Sequence, residues 1–369
     1  MEYNVNKLSK IPEVKDMKII HCADIHLDSP LQTHLSRDQA AQRNAELTQT
    51  FLELIRYAQQ EHVDLVLIAG DLFDENRVSR QTLDMAFFAM EQAADVEFLY
   101  LPGNHDSQVL TRHQLPNNLR FFSDTWQSFS YGPVTVWGLE LTKENALRFY
   151  DELNLPSQGT NIVTLHGQVA TAAGEGLIHL GRLKGKHIDY LALGHIHSHR
   201  LEQLDSRGQW AYCGCLEGRG FDEAGIKGFL LLDAGLSGVE AHFIPFAQRC
   251  IHTVDVDITG LQTNSQVYTA IQDKTAHIPE KDLVRVNLAG KKSPQAEFSR
   301  QYLQQLLVRS FYSLDIKDCW QLDTEHFVPE ISLKGTFVRL ALEQDLPDQD
   351  KQLLIRMGLQ ALSGEELTL

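Results

Sequence analysis

Five short apolar runs, each followed closely by Asp, Asn or His, are the feature that most restricts how this sequence can fold. The pattern predicts β-strands over Lys18–Cys22, Asp64–Ala69, Glu97–Leu101, Ile162–Leu165 and Tyr190–Leu193. Several of these runs are continuously apolar, which is typical of strands buried on both faces. In α/β sheets, ligands collect at the carboxyl ends of the strands. We therefore expect the polar residues after the five runs to meet at one edge of a layered core.

Helical patterns lie between the early runs. Arg37–Glu61 and Ser79–Ala94 carry apolar residues at helical spacing, and Ser79 is a suitable N-cap. The order β-α-β-α-β, with later strands closer together, favours helices packed outside a layered sheet. Further strands are predicted at Val134–Gly138, Phe229–Leu232 and Val239–Ile244.

The pattern changes near Pro245 and again near Pro329, which predicts four segments. Residues 1–16 form a polar leader that the fold does not need. Residues 17–248 form the main α/β domain. Residues 249–328, with an alternating strand at Ile251–Ile258 and an amphipathic helix at Glu297–Ser310, form a small α+β cap-like domain that we expect to bind DNA or another substrate. Residues 329–369 form a helical tail, which either docks on a partner or covers its own domain.

Charge and composition exclude some classes of protein. The formal charge is −16, which disfavours a chain that binds nucleic acid alone, because phosphate contacts need Lys and Arg. Five cysteines without a pairing framework fit a reducing compartment. The sequence has no secretory signal and no apolar run long enough to cross a membrane, so we expect a cytoplasmic protein.

The residues after the five runs suit a pair of divalent cations. Carboxylate, imidazole and amide oxygen ligands bind manganese, iron, zinc or magnesium, and the absence of cysteine from the set argues against a structural zinc site. Two cations about 3.5–4 Å apart need a bridging group. Asp71, flanked by Gly70, is the predicted bridge. The polar residues that follow the runs are Asp24, His26, Asp71, Asp74, Asn104, His105, Asp106, His166, His195 and His197.

These motifs resemble those of a known family. The order D-x-H, G-D-x-x-D, G-N-H-D, H-G, G-H-x-H is similar to the signature of calcineurin-like metallophosphoesterases. The fuller strings HCADIHLD, AGDLFD, LPGNHD and YLALGHIH, with the later Y-C-G and F-D-E, resemble bacterial SbcD-type DNA repair exonucleases, and among them the YhaO-like branch. The resemblance covers residues 18–245, is weak over the cap-like region, and returns at Leu333–Arg339.

The resemblance implies a four-layer α/β/β/α sandwich and a two-metal site. Asp24, His26 and His197 would hold the first cation, and Asn104, His166 and His195 the second, with Asp71 shared. Manganese is the expected metal, with magnesium, iron and zinc as alternatives. His105 would be the catalytic histidine that assists the leaving oxygen. A carboxylate on its other ring nitrogen would keep it protonated, and Asp74 is our candidate, although some relatives carry histidine there.

The implied function is DNA phosphodiester hydrolysis by an exonuclease, with endonuclease activity left open. The resemblance also implies a homodimer paired with an SbcC-type coiled-coil ATPase, here YhaN-like, on which the tail would dock. Four arginines near the motif strands could contact DNA, or could be ordinary solvated charges: Arg77, Arg112, Arg182 and Arg200.

Two other hypotheses stay open at this level. The same metals would serve a small-molecule phosphodiesterase or phosphatase. Alternatively, the chain could be a partner-docking scaffold with a vestigial metal site, although the complete ligand set disfavours this.

Overall fold

The computed structural model describes residues 16–31, 35–74, 78–103 and 115–364, which divide into two compact units with the boundary between Cys250 and Ile251.

The first unit contains two six-stranded sheets. In spatial order, the first sheet consists of β14 (Gly238–Pro245), β13 (Gly228–Gly235), β1 (Met17–Cys22), β2 (Leu65–Ala69), β3 (Glu97–Leu101) and β4 (Leu119–Phe121). The second consists of β11 (Arg200–Gln203), β12 (Gln209–Tyr212), β10 (Tyr190–Gly194), β7 (Thr160–His166), β6 (Val134–Gly138) and β5 (Gln127–Tyr131). A two-stranded ribbon, β8 (Gln168–Val169) and β9 (Leu177–Ile178), lies after β7.

The centres of both sheets are parallel. β1 to β4 run parallel in the first sheet, and β12, β10, β7 and β6 run parallel in the second. The carboxyl ends of β1, β2 and β3 therefore meet at one edge, and those of β7 and β10 meet at another. All five predicted motif strands lie in these parallel sets.

Apolar side chains fill the space on both faces of each sheet. The helices α1 (Arg37–Gln60) and α2 (Arg80–Gln92) cover the outer face of the first sheet with residues such as Phe51 and Met90. Between the sheets lie side chains that include Leu67 and Tyr190. The outer face of the second sheet is covered by α3 (Phe149–Glu152) and by irregular segments and 3-10 turns. The layered α/β fold predicted from the sequence is confirmed, and its fourth layer is mostly irregular.

Helix α1 begins at a capping box. The Ser36 hydroxyl accepts from the Gln39 N–H at 3.2 Å, and the Gln39 side chain accepts from the Ser36 N–H at 3.1 Å, which satisfies two backbone donors that the first turn leaves free. Further along α1, Nη2 of the buried Arg43 lies 2.9 Å from Oε2 of the buried Glu217. Glu46 Oε1 lies 2.7 Å from Arg249 Nη2. These ion pairs fasten α1 to the loop after β12 and to the last residues of the first unit.

The second unit is built on a three-stranded parallel sheet of β15 (Ile251–Asp257), β16 (Leu283–Ala289) and β18 (Ser313–Asp318). Its other elements are α4 (Asn264–Thr275), β17 (Lys291–Lys292), α5 (Arg300–Leu307), β19 (Gln321–Leu322), α6 (Leu333–Leu342) and α7 (Asp348–Ser363). This unit contains both the predicted cap-like segment and the predicted tail, and their separation into two domains stays a prediction. In the part of the chain that is described, no helix is both long and apolar enough to span a membrane.

Candidate metal centre

Five of the predicted ligands lie together at the carboxyl ends of four central strands. Asp24 and His26 follow β1, Asp71 follows β2, His166 ends β7, and His197 follows β10. Two of these strands belong to each sheet, so both sheets contribute to the centre.

The five side chains form two groups that share Asp24. The first contains Asp24, His26 and His197, the second Asp24, Asp71 and His166, and within each group the ligand atoms lie within 4.8 Å of one another. Asp71 Oδ2 is 3.6 Å from His26 Nε2 and 3.4 Å from His166 Nε2. One carboxylate oxygen therefore faces a histidine of each group, which is the position that a group bridging two cations needs.

Burial makes the charges of this centre depend on one another. Asp24 and Asp71 are only 1% and 3% exposed. Burial raises the pKa of Asp24 to about 6, although the nearby His166 and His197 oppose the rise. Burial alone would lower the pKa of His166, but the interaction of its ring with the Asp71 carboxylate, together with the charge of Asp24, outweighs burial and raises that pKa to about 9. Positive charge is thus stabilised among these carboxylates, as a cation site requires.

Two of the histidines are oriented by a hydrogen bond to their other ring nitrogen. His166 Nδ1 lies 2.8 Å from the Ala69 carbonyl, which assigns the proton to Nδ1. Its Nε2 is buried, makes no hydrogen bond to any described residue, and points at Asp71. Metal-binding histidines are held in this way. The donor set of two carboxylates and three imidazoles therefore fits divalent cations.

Glu223 orients the second of these histidines, and sequence reasoning did not assign it a role. Its Oε1 lies 2.6 Å from His197 Nδ1, and the Arg219 guanidinium binds the same carboxylate at 2.7 Å. Burial would raise the pKa of Glu223, but its bonds to His197 and Arg219 outweigh burial and hold the pKa well below its usual range. The only sequence signal was the F-D-E string of the family resemblance.

The backbone around the ligands adopts conformations that are rare for residues with a side chain. Asp24, His26 and Asp71 have φ values of 51°, 49° and 51°, and His195 has a φ of 102°. Hydrogen bonds between the two loops hold these conformations: the Asp24 N–H donates to the Gly70 carbonyl at 3.1 Å and the His26 N–H to the Asp71 carbonyl at 2.9 Å. Backbone strain of this kind clusters at functional sites.

Two glycines allow the loops to approach closely. A Cβ at Gly103 would lie 2.1 Å from Asp71 Oδ1, and a Cβ at Gly70, whose φ is 102°, would lie 2.0 Å from His166 Nδ1. Any other residue at either position would displace a ligand side chain.

His195 lies beside the metal centre and contacts two of its residues. Its ring packs edge-on to the His166 ring, with 5.4 Å between the ring centroids. Its backbone N–H donates to both carboxylate oxygens of Asp24 at 3.0 Å. It belongs to neither ligand group. Its role as a ligand of the second cation stays a prediction.

Several predicted site residues are not described. The predicted ligand Asn104 and the predicted catalytic His105 lie outside the described residues, as do Asp106, Arg77 and Arg112. Asp74 is half-buried, and its N–H donates to the Leu27 carbonyl at 3.1 Å. Its predicted contact with His105 therefore stays a prediction.

The other two predicted substrate-binding arginines have partners within the protein. Arg182 pairs with Asp151 at 3.1 Å and lies over the Tyr150 ring at 4.3 Å. Arg200 pairs with Glu202 at 2.6 Å. Contact of either arginine with DNA stays a prediction.

Residues 17–199 match the family of calcineurin-like phosphoesterases. This region of the chain belongs to that family, which agrees with its two layered sheets and with the ligands at the ends of their parallel strands. Residues 17–199 thus form a calcineurin-like phosphoesterase domain, and its donor set suits divalent cations.

Among its relatives is an uncharacterised metallophosphoesterase of Bacillus subtilis, YhaO, which is 26% identical over 290 residues, or 72% of this chain and 69% of the relative. Another is the DNA double-strand break repair protein Mre11 of Saccharolobus solfataricus, 29% identical over 205 residues, or 51% of this chain and 52% of the relative. The chain thus spans only about half of that Mre11. A solved dimetal phosphatase from Danio rerio aligns with 63% of this chain and 99% of its own, at 14% identity and a TM-score of 0.40.

Proposed function

We propose that this protein is a metal-dependent nuclease that hydrolyses DNA phosphodiester bonds with two divalent cations, manganese being the expected metal. The observation that carries the proposal is the position of Asp71 Oδ2, which faces one histidine of each ligand group. The match to Mre11 proteins supports DNA as the substrate.

The residues of the centre would have different roles in metal binding. Asp24 and Asp71 would supply negative charge to both cations, and His26, His166 and His197 would complete the two sites. When bound, the cations would offset the charge of the phosphodiester and lower the pKa of an attacking water. The hydrogen bonds of His166 to Ala69 and of His197 to Glu223 would keep the Nε2 atoms aimed at the cations.

A proton for the leaving oxygen would come from His105, with Asp74 as the partner that keeps the imidazole charged. Both roles rest on the family resemblance. They predict that His105→Ala retains metal and loses cleavage, since His105 would touch the substrate and not the cations.

A nuclease assay with manganese tests the proposal. Linear duplex, single-stranded and hairpin DNA would be incubated with the protein alone and with the ATPase partner. We expect cleavage that depends on metal and disappears in Asp71→Asn, while the exposed control Asp84→Asn retains it. Absence of cleavage of every DNA, with fast turnover of a small phosphodiester, would contradict a DNA substrate.

That result would favour a second candidate, a small-molecule phosphodiesterase of the same superfamily. The observation in its favour is the formal charge of −16, which opposes the approach of a DNA backbone. The two candidates share the metal centre and differ only in the substrate.

We further propose that the nuclease is cytoplasmic, forms a homodimer, and works with a YhaN-like ATPase of the SbcC type bound to the tail. Exposed apolar side chains on and beside α6 support a docking surface there: Ile331, Leu333, Leu340 and Leu346. The partner would also supply a basic DNA surface. Co-purification with the ATPase should be lost in Leu340→Glu and kept in the control Glu343→Gln, at the C-cap of the same helix.

A further inference from the structure

A hollow of about 300 Å³ lies in the second unit between the β17–β19 ribbon and the helices α6 and α7. We call it the helix–ribbon hollow. Three cationic side chains line it, Lys292 from β17, Lys334 from α6 and Arg356 from α7, and its lining contains no carboxylate. In a chain of net charge −16, three cations around one small space are unusual.

These cations are not neutralised by the described part of the protein. None of the three forms an ion pair with a described carboxylate; Lys334 donates to the Ser363 hydroxyl at 2.8 Å. Asp318 acts on Lys292 only at longer range, and its own Oδ1 accepts from the Trp320 indole at 2.9 Å. Asp348 and Asp350 line a neighbouring groove with Arg356, without pairing to it.

Helix α7 also turns polar groups without partners toward its own unit. Gln352 and Arg356 lie four residues apart and so share one face of the helix. Gln352 Oε1 and Arg356 Nε are buried and make no hydrogen bond to any described residue. Buried polar groups cost free energy unless they are hydrogen-bonded. Gln352 lines the neighbouring groove and Arg356 lines both spaces, so Arg356 is the group that a polar ligand in the hollow would satisfy.

Lys292 is held in place by aromatic rings. Its ammonium lies 4.3 Å from the centroid of Phe298 and 4.9 Å from that of Trp320. Burial lowers the pKa of Lys292, although Asp318 opposes this. A partly desolvated cation attracts an anion more strongly than one in bulk water.

The remaining wall of the hollow is apolar. It includes Trp320, Leu322, Phe327 and Leu359. The volume is at the lower end of the range of about 300–1,000 Å³ that small-molecule sites occupy. The lining therefore matches a small ligand with an anionic group at one end and an organic body at the other.

We propose that the helix–ribbon hollow binds an organic phosphate of the size of a nucleoside monophosphate. The phosphate would accept hydrogen bonds from the Arg356 guanidinium and from the ammonium groups of Lys334 and Lys292. Arg and Lys in combination favour a group with several acceptor oxygens. The organic body would pack against the apolar wall. This site is separate from the metal centre and does not depend on the proposed nuclease activity.

Calorimetric titration of the full-length protein with deoxyadenosine monophosphate tests the proposal. Excess chelator would be present, so that phosphate cannot bind through metal. We expect one site per chain and at least about tenfold weaker binding of deoxyadenosine, which lacks the phosphate. A short 5′-phosphorylated oligonucleotide distinguishes a free nucleotide from the end of a strand as the source of the same chemical group.

Variants locate the site. Arg356→Gln and Lys334→Gln should each weaken binding at least about tenfold, as the loss of a charged hydrogen bond predicts. Arg356→Lys should recover part of the affinity. Lys351→Gln removes the same charge from α7 outside the hollow and should bind as the wild type does, and so should Asp71→Asn, which alters the metal centre. Thermal unfolding of each variant checks that the second unit is folded.

Three outcomes would overturn the proposal. The first is no binding of the nucleotide or of inorganic phosphate at millimolar concentration. The second is wild-type affinity in folded Arg356→Gln and Lys334→Gln. The third is an equal loss in Lys351→Gln, which would indicate unspecific attraction. None of these outcomes depends on whether the metal centre cleaves DNA.

Discussion

At the scale of single residues, the proposed bridging role of Asp71 can be tested by substitution. Its Oδ2 lies between His26 and His166, so Asp71→Asn should leave at most one cation per chain. Because loss of a residue that merely supports a metal ligand costs about 10–100-fold, loss of a shared ligand should lower cleavage at least about 100-fold. Elemental analysis and the nuclease assay measure the two effects, and unchanged metal content would contradict the bridge.

Glu223 hydrogen-bonds the predicted ligand His197 and is not itself a predicted ligand. Glu223→Gln removes the charge that orients His197 and pairs with Arg219, so metal affinity should fall about 10–100-fold. Titration with manganese measures the affinity. Glu202→Gln, which removes an exposed carboxylate partner of Arg200, is the matched control and should bind manganese normally.

His21 predicts a pH dependence of stability. Its Nδ1 lies 2.9 Å from the Tyr190 hydroxyl, and burial lowers its pKa to about 3. A folded-state pKa below the unfolded value of 6.5 contributes stability that is present above pH 6.5 and is lost as the pH falls. Between pH 6.5 and 5, the wild type should therefore lose about 1.6 kcal/mol more than His21→Gln.

Denaturant unfolding of the wild type and of His21→Gln at pH 6.5 and pH 5 measures the two losses of unfolding free energy. The contributions of other titrating groups are the same in both proteins and cancel when the two losses are subtracted. Equal losses in the two proteins would show that His21 is protonated in the folded state.

The predicted ligands could be found from the sequence, whereas the residue that orients one of them could not. Asp24, His26, Asp71, His166 and His197 could be selected because each follows an apolar run directly. The contact of Glu223 with His197 joins residues 26 positions apart, and no local pattern signals it.

At the scale of elements, the attachment of α1 depends on buried charge. Arg43 is 1% exposed and lies 2.9 Å from Glu217, which also accepts from Thr50 at 3.0 Å. Removing one member of a buried ion pair leaves the other uncompensated, so Glu217→Gln should destabilise the first unit by about 3 kcal/mol. Arg80→Ala, which breaks the exposed pair with Asp84 on α2, should cost less than about 0.5 kcal/mol.

Denaturant unfolding measures both changes. Similar losses for the two variants would contradict a fastening role for Glu217.

The elements differ in how well the sequence predicted them. The predicted helix Arg37–Glu61 is α1 with one residue of difference, because its apolar residues recur at helical spacing along the whole helix. The strands β4, β5, β11 and β12 were not predicted. β11 is exposed along its whole length and β5 is half-exposed, so neither needs the apolar pattern by which strands are found.

At the scale of the whole molecule, metal should stabilise the two units unequally. The ligand groups lie in the first unit, so manganese at about 100 times its dissociation constant should raise the unfolding free energy of that unit by about 2.7 kcal/mol. Calorimetric scans with manganese and with chelator should show one transition that shifts. A shift of equal size in both transitions would contradict a metal centre confined to the first unit.

The central strands, the helices beside them and the polar residues at the strand ends could be predicted from the sequence, because these features depend on periodicity within short stretches of chain. The parallel pairing of those strands, the contacts of Asp71 Oδ2 with histidines of both groups, the support of His197 by Glu223 and the three cations around one hollow emerge only in the folded structure. Those facts depend on contacts between residues far apart in the chain, and side-chain periodicity carries no information about such contacts.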